Sequence, residues 1–276
     1  MRRKVFASKV FDRKVVLITG GCAGIGRALA ERMAQAGARL AIFDLDQQAL
    51  DGLVQHLRDH HNVEALGLRC DVSDRSAVQR AMALVIEHFG GLDVLVNNAG
   101  ITHRSRVMET LPAVFERVMA VNFYGALHCT QAALPSLQTR RGQIIVLSSR
   151  SQYAPVPERG AYNASKHALH GLFDTLRCEL EGSGVHIMLA CPGYTETDLR
   201  KRVLGGDGSS IAQPVPVIGR VASPQDVAEA IYQGALKRRR LLVLSSPDWR
   251  ARLAARLFPR LFDQLMRARL AGGRAR

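Results

Sequence analysis

The stretch VVLITGGCAGIG, residues 15–26, decides the fold. Apolar and β-branched residues run without a polar break into Thr19, and glycines follow at 20, 21, 24 and 26 before an amphipathic helical pattern begins. A strand that is apolar on both faces belongs between two layers, as in a parallel sheet. Glycines let the chain turn tightly and let its backbone approach a diphosphate. The helix that opens next offers free N–H groups and the positive end of its dipole. A glycine cluster alone also serves ordinary turns. Placed between the first strand and a helix, it has the context that a dinucleotide-binding loop requires. Gly20, Gly24, Ile25 and Gly26 are therefore candidate cofactor contacts.

Outward from this loop, short apolar runs alternate with helical patterns. Strands are predicted at 15–19, 39–43, 65–69, 94–97, 144–148, 186–190 and 241–244, and helices near 24–36, 46–60, 74–89, 112–138, 161–182 and 224–236. The repeated alternation predicts an α/β fold, a doubly wound parallel sheet of seven strands in one domain. The domain is placed at 15–246, after a basic segment at 1–14 and before a basic tail at 247–276. Residues 194–221 interrupt the pattern with charges, then GGDGSS, then QPVPVIG. A structureless stretch of that length reads as a substrate lid or a disordered loop.

Composition narrows the function. The formal charge of +14 is carried by the ends. Residues 1–14 hold six basic groups and one acid, residues 237–276 hold twelve and two, and 15–236 hold twenty and twenty-one. A near-neutral body with basic tails and no recognition module is not expected to bind nucleic acid. The five cysteines, at 22, 70, 129, 178 and 191, form no CxxC pair, which fits small core residues in a reducing, cytoplasmic setting. The basic amino terminus lacks the apolar run of a secretory signal. The uncharged stretch 118–139 carries Asn122, His128, Gln131 and Pro135 and reads as a buried helix, not a membrane span. No histidine cluster has metal-ligand spacing, so no metal is expected.

Asp44 ends the second strand in AIFDLD. A carboxylate there can accept hydrogen bonds from both hydroxyls of an adenosine ribose and would repel a 2′-phosphate. Residue 23 is Ala, so no cation waits for such a phosphate, and both features favour NAD over NADP. Asp44 could instead cap the next helix, although Asp46 can do so equally well. In CDVSD, Asp71 with Val72 is a candidate adenine contact, and Ser73 and Asp74 lie closer to the following helix for capping.

Ser149 ends strand QIIVLSS, and Tyr162 and Lys166 follow in YNASK. On a helix, residues four apart share a face. A phenol ordinarily titrates near pH 10, and an adjacent ammonium favours its phenolate. Tyr162 could then give a proton to a carbonyl oxygen or take one from an alcohol near neutral pH. Ser149 could bond the same oxygen, and Lys166 could also reach the nicotinamide ribose. Asn122 sits in an apolar stretch and needs a partner, which a water leading to Lys166 would supply.

The motifs TGGCAGIG, CDVSD, Asn97-Asn98-Ala99-Gly100, VNFYG, VLSS, YNASK and CPGYTET resemble those of the short-chain dehydrogenase/reductase family over about residues 12–236. The resemblance implies a Rossmann fold and hydride exchange between a nicotinamide and an alcohol or carbonyl carbon. It implies Ser149, Tyr162 and Lys166 as the catalytic triad and Asn122 as its fourth member. It places Asn98, Ala99 and Gly100 beside the cofactor and Pro192, Gly193 and Thr195 or Thr197 at the carboxamide. It also implies a homodimer or homotetramer. AYNASKHALHGLFDTLRCEL and CPGYTET are most similar to the dehydrogenase/reductase 7B-like and hydroxysteroid dehydrogenase-like members, which act on lipophilic alcohols and ketones and often associate with membranes.

His103, Arg104 and Arg106 could meet an acidic substrate group, but they read as a solvated loop face. In the tail, Trp249, Leu253 and Leu257 recur at i+4. After Pro259, Leu261, Phe262, Leu265 and Met266 recur at helical spacing, interleaved with Arg250, Arg252, Arg256, Arg260, Arg267 and Arg269. Such a basic amphipathic element could bind an anionic membrane peripherally or dock on the protein itself.

Overall fold

The structure is a computed structural model that describes residues 9–150, 156–197, 203–211, 221–244, 257, 258, 260, 261 and 264. The chain runs β1 (Val15–Thr19), α1 (Gly24–Ala34), β2 (Arg39–Asp44), α2 (Gln47–His61), β3 (Ala65–Arg69), α3 (Arg75–Phe89) and β4 (Val94–Asn97). It continues with β5 (Thr102–His103), α4 (Pro112–Met119), α5 (Gly125–Arg140), β6 (Gln143–Leu147), α6 (Gly160–Glu179) and β7 (His186–Pro192). It closes with β8 (Val203–Leu204), β9 (Ser210–Ile211), α7 (Pro224–Leu236) and β10 (Leu241–Leu244).

Among the described residues, seven strands form one parallel sheet in the order β10-β7-β6-β4-β1-β2-β3. Alternation along the strands divides the core. Val16, Ile18, Leu40, Ile42, Val94 and Val96 pack with α1, α2 and α7, while Leu17, Phe43, Leu95, Ile144 and Val146 pack with α3, α5 and α6. All five residues of VVLIT and of QIIVL are buried, which is why these strands carry no polar alternation. Order reverses between β1 and β4, and in open α/β sheets ligands bind outside the carboxyl ends of the strands at such a point.

Helix ends follow local chemistry. Asp46 caps α2 by accepting from Ala49 N, Asp74 caps α3 from Ser76 and Ala77, and Ser223 caps α7 ahead of Pro224. Phe11, within the basic amino-terminal segment, is 1% exposed and packs against Tyr232, so core structure begins before residue 15. Lys14 bonds the buried Asp93, which Arg140 also meets.

Two expectations are corrected. The helix predicted over 112–138 is interrupted by a π-helical turn, Ala120–Tyr124, between α4 and α5. Its wider turn carries no local sequence signature. The stretch 194–221 is also not structureless. Its residues 203–211 form a β8–β9 hairpin, and β8 pairs in parallel with β5 to make a three-stranded sheet. Strands of two residues are too short to show a period. Gly206 lets the hairpin lie flush, because a Cβ there would come within 2.4 Å of Glu109 O. Residues 198–202 and 212–220 of that stretch lie outside the described residues.

Candidate active site

The glycine loop leaves β1 at Thr19 and is held by backbone packing. Gly20 and Gly24 adopt left-handed conformations, with φ of 62° and 52°. A Cβ on Gly26 would lie 2.3 Å from Gly20 O and 2.6 Å from Asn98 Nδ2. Ile25 is partly buried against the core. Thr19, which the sequence reading did not single out, is the hub. Its Oγ1 donates to Val96 O and accepts from the N–H groups of Asn98 and Ala99, each at 3.0 Å. Asn98 Nδ2 donates to Thr19 O at 2.8 Å and to Gly20 O at 2.9 Å. Asn98 therefore clamps the loop from β4. Being the last polar residue of a strand that enters a glycine turn is the signal that could have found Thr19.

Helix α1 differs from α2, α3 and α7 in having no side-chain cap, and its first turn holds no acid. With the glycine cradle, that leaves a donor set suited to a diphosphate. Asp44 is not a helix cap, since Asp46 fills that role. Asp44 Oδ2 accepts from Cys22 N at 3.0 Å and Oδ1 from Leu45 N at 2.8 Å, which ties the end of β2 to the loop. Burial and then the Asp44 charge push the Cys22 thiol up to about 12, so it is not a nucleophile. Asp71 Oδ1 accepts from Ser73 N and Oγ, while Val72 is buried against Gly125. These residues fit the ribose, adenine and phosphates of a dinucleotide at the switch point.

The second half of the site gathers around α6. Tyr162 is 8% and Lys166 5% exposed, and Lys166 Nζ lies 5.7 Å from the Tyr162 ring centroid. Lys166 Nζ donates to Leu147 O at 2.7 Å, two residues before the half-buried Ser149. Burial pushes the Lys166 ammonium below its ordinary value, and the nearby Tyr162 opposes that. Asn122, in the π turn, receives Ile101 N on Oδ1 at 2.8 Å. Its Nδ2 donates to Ile101 O at 3.0 Å and Ser165 Oγ at 2.9 Å. The partner sought in a water is thus supplied by the protein, and Asn122 braces the Gly100-Ile101 loop against α6. A Cβ on Gly100 would sit 3.1 Å from Asn122 Oδ1.

Pro192 and Gly193 leave β7, and Thr195, 7% exposed, bonds Gly193 O and bridges to Ala222. Thr197 returns to the glycine loop, its Cγ2 within 2.9 Å of where a Cβ on Gly24 would be. The cofactor and catalytic halves are therefore joined at both ends.

The reading of His103 and Arg104 as a solvated face is corrected. His103 is fully buried, and neither ring nitrogen has a hydrogen-bond partner among the described residues. Burial and then the Arg159 charge lower its pKa to about 4, so it is neutral near pH 7. Arg104 Nε pairs with Glu158 at 2.9 Å, with 15% and 21% of the side chains exposed. Only Arg106 stands in solvent, beside Glu109. The cause is the hairpin. Pairing of β5 with β8 covers Thr102 and His103, and Ser105 bridges to Arg159 ahead of α6.

Residues 14–206 match the family model described as short chain dehydrogenase. Dehydrogenase/reductase SDR family member 7B of Danio rerio is 33% identical over 263 residues, 93% of this chain and 85% of that protein. The 11-beta-hydroxysteroid dehydrogenase 1A of Arabidopsis thaliana is 35% identical over 257 residues, 89% of this chain and 71% of that protein. A short chain dehydrogenase/reductase from Burkholderia phymatum, solved in complex with NAD, superposes with a TM-score of 0.76 at 31% identity, covering 84% of this chain and 89% of that one. The alcohol dehydrogenase of the archaeon Thermococcus sibiricus, complexed with 5-hydroxy-NADP, has a TM-score of 0.72 at 28% identity, covering 84% and 94%.

Proposed function

The chain belongs to the short-chain dehydrogenase family of oxidoreductases, and on that premise we propose that it interconverts a lipophilic secondary alcohol and its ketone with NAD(H). The observation that carries this reading is the pairing of buried Tyr162 and Lys166 on one face of α6, beside a glycine loop whose helix has no side-chain cap. A bound nicotinamide dinucleotide supplies the hydride acceptor or donor. Gly20, Gly24, Ile25 and Gly26 cradle the diphosphate, Asp44 accepts the ribose hydroxyls, and Asp71 with Val72 meets the adenine. Asn98, Ala99 and Gly100 lie beside the cofactor, and Pro192, Gly193 and Thr195 or Thr197 meet the nicotinamide carboxamide.

Tyr162 is the general acid/base. In oxidation its oxygen takes the hydroxyl proton of the alcohol, and in reduction it returns that proton to the carbonyl oxygen. Ser149 holds the substrate oxygen. Lys166 favours the negative tyrosine oxygen and holds the ribose, and Asn122 keeps the Gly100-Ile101 loop in register with α6. The lipophilic substrate class is supported by the exposed Val107, Met108 and Leu111 beside the β8–β9 hairpin, and by the similarity to the plant 11-beta-hydroxysteroid dehydrogenase. Of the segment 194–221, the hairpin of residues 203–211 is assigned to the substrate side.

Steady-state assays on lipophilic secondary alcohols test this reading. Tyr162→Phe is expected to lower kcat by at least about 1000-fold while NADH binding, followed by fluorescence, persists. Full activity in that variant removes the mechanism. Wild-type kcat/KM is expected to be about 100-fold higher with NAD than with NADP, and Asp44→Ala should narrow that gap. Equal use of both cofactors by the wild type removes the role given to Asp44.

The homodimer or homotetramer is placed on the long helices α5 and α6. In the tail, Leu257, Phe258 and Leu261 are each more than half exposed, which favours contact with an anionic membrane over docking on this chain. Trp249, Leu253, Pro259, Phe262, Leu265 and Met266, with Arg250, Arg252, Arg256, Arg267 and Arg269, lie outside the described residues. Among the described residues, no helix is long and apolar enough to cross a membrane. Co-sedimentation with phosphatidylserine vesicles should weaken as salt rises, and binding indifferent to salt or absent altogether would remove the membrane contact.

A further inference from the structure

Beside Tyr162 lies a cation that the roles above leave unused. Arg159 is the residue just before α6, three residues ahead of Tyr162, with a non-helical backbone. Its guanidinium carbon lies 4.1 Å from the Tyr162 ring centroid, over the face of the ring. Nη2 donates to Thr102 Oγ1 at 2.5 Å, which fixes the group from β5. Nε is buried with no hydrogen-bond partner, and Arg159 makes no ion pair among the described residues. The adjacent carboxylate, Glu158, is engaged by Arg104.

Among the described residues, the titratable neighbours on β5 and α6 add no carboxylate. His103, on β5, is held neutral. Lys166, on α6, is a second cation, and it faces Cys191 at the end of β7. Arg159 as a whole is half-buried, and taking part of a guanidinium out of water without a carboxylate is costly unless something gains from the charge. A cation over an aromatic face is attracted to the ring, and more strongly to the ring of a phenolate.

We propose that Arg159 is a positioning residue for proton transfer: it fixes the plane of the Tyr162 ring and stabilises the negative oxygen left when the proton is on the substrate. Tyr162 is then served by two cations, Lys166 one turn along the helix and Arg159 over its face. This rests on the reading of Tyr162 as the general acid/base. Arg159 touches neither substrate nor cofactor in this role and acts through Tyr162.

The test uses the full chain with Arg159→Gln and Arg159→Lys, compared by the pH profile of alcohol oxidation and by ultraviolet titration of the phenol. The Tyr162→Phe spectrum is subtracted to isolate the Tyr162 signal, and this second readout needs no substrate. Arg159→Gln is expected to lower kcat about ten-fold near neutral pH, change KM less than about two-fold, and move both the rise of kcat and the phenol titration about one pH unit upward. Arg159→Lys should recover part of each, because it keeps the charge and loses the planar stack. Circular dichroism checks that both variants fold, and if Arg159→Gln does not, Arg159→Lys still has to displace the titration by a smaller amount. A phenol titration that coincides with wild type in both variants overturns the proposal. So does a raised KM with an unmoved profile, which would instead give Arg159 an anionic substrate group. A wild type that turns over no alcohol would defeat the functional reading, while the phenol titration would still judge Arg159.

Discussion

The two halves of the site are built on opposite terms. On the dinucleotide side, the polar groups that hold the loop are matched within the protein: Thr19 Oγ1 serves three backbone groups and Asn98 Nδ2 serves two, although Asn97 Oδ1 behind them has no partner among the described residues. On the substrate side, polar groups are buried and left over. Both nitrogens of His103, Nε of Arg159 and Oδ1 of Asn163 have no partner among the described residues. A matched half holds one geometry at low cost. A mismatched half stores unfavourable free energy beside Tyr162, which persists only because the surrounding sheet, hairpin and helix hold it there. Precision belongs to the first half and electrostatic bias to the second.

That contrast can be broken by experiment. If the loop is fixed by packed backbone, Gly26→Ala is expected to have the largest effect. Its methyl group would collide with Gly20 O and Asn98 Nδ2, costing about 3 kcal/mol in urea denaturation and at least about 100-fold in NADH affinity. A variant that binds NADH normally would show the loop to be pliable and erase the difference between the halves.

The substrate side should respond to pH instead. His103 has a folded pKa near 4, below the ordinary histidine value near 6.5, so the unfolded chain binds this proton first. Stability from this group is therefore unaffected above pH 6.5 and falls as pH drops from 6.5 towards 4, by an upper bound of about 3 kcal/mol. His103→Leu should flatten that part of the stability profile and leave stability at pH 7 equal or higher. A variant whose acid limb matches wild type would mean that His103 is not strained.

The smallest effect is expected at Arg104. The Arg104–Glu158 pair is partly screened, so Arg104→Ala should cost about 1 kcal/mol in thermal unfolding with cofactor affinity unchanged. A change in NADH binding there would mean that the halves are energetically one unit.

The same division governs how far the sequence could be read. The dinucleotide half is local. The run 15–26 holds strand, turn and helix start in one window, and Asp46 and Asp74 are recognisable caps because each immediately precedes an amphipathic run. The seven strands are placed correctly to within two residues because burial on both faces leaves apolar blocks that polar helices and turns separate. The Tyr162–Lys166 pair is legible from helical spacing, whereas Arg159 lies before the helix, where that spacing does not apply.

His103 was not. It lies in THRSR, whose flanking charges mimic a solvated loop, and its burial comes from Val203 and Leu204 far along the chain. The hairpin and the π turn were missed for related reasons. Two-residue strands have no period, and a single wide helical turn leaves the apolar pattern on either side intact.

The pairing of β5 with β8 also has a consequence in time. Thr102 and Val203 are separated by the whole of α4, α5, β6, α6 and β7, so their contact closes a very long loop for the return of two short strands. Closures of that kind form late, after the elements between them have docked, and give little protection once formed. On a ribosome, the nascent chain would complete its glycine loop and α6 before it could raise the wall that buries His103. In hydrogen exchange that wall should be the first part of the site to open, well before β1 or β6.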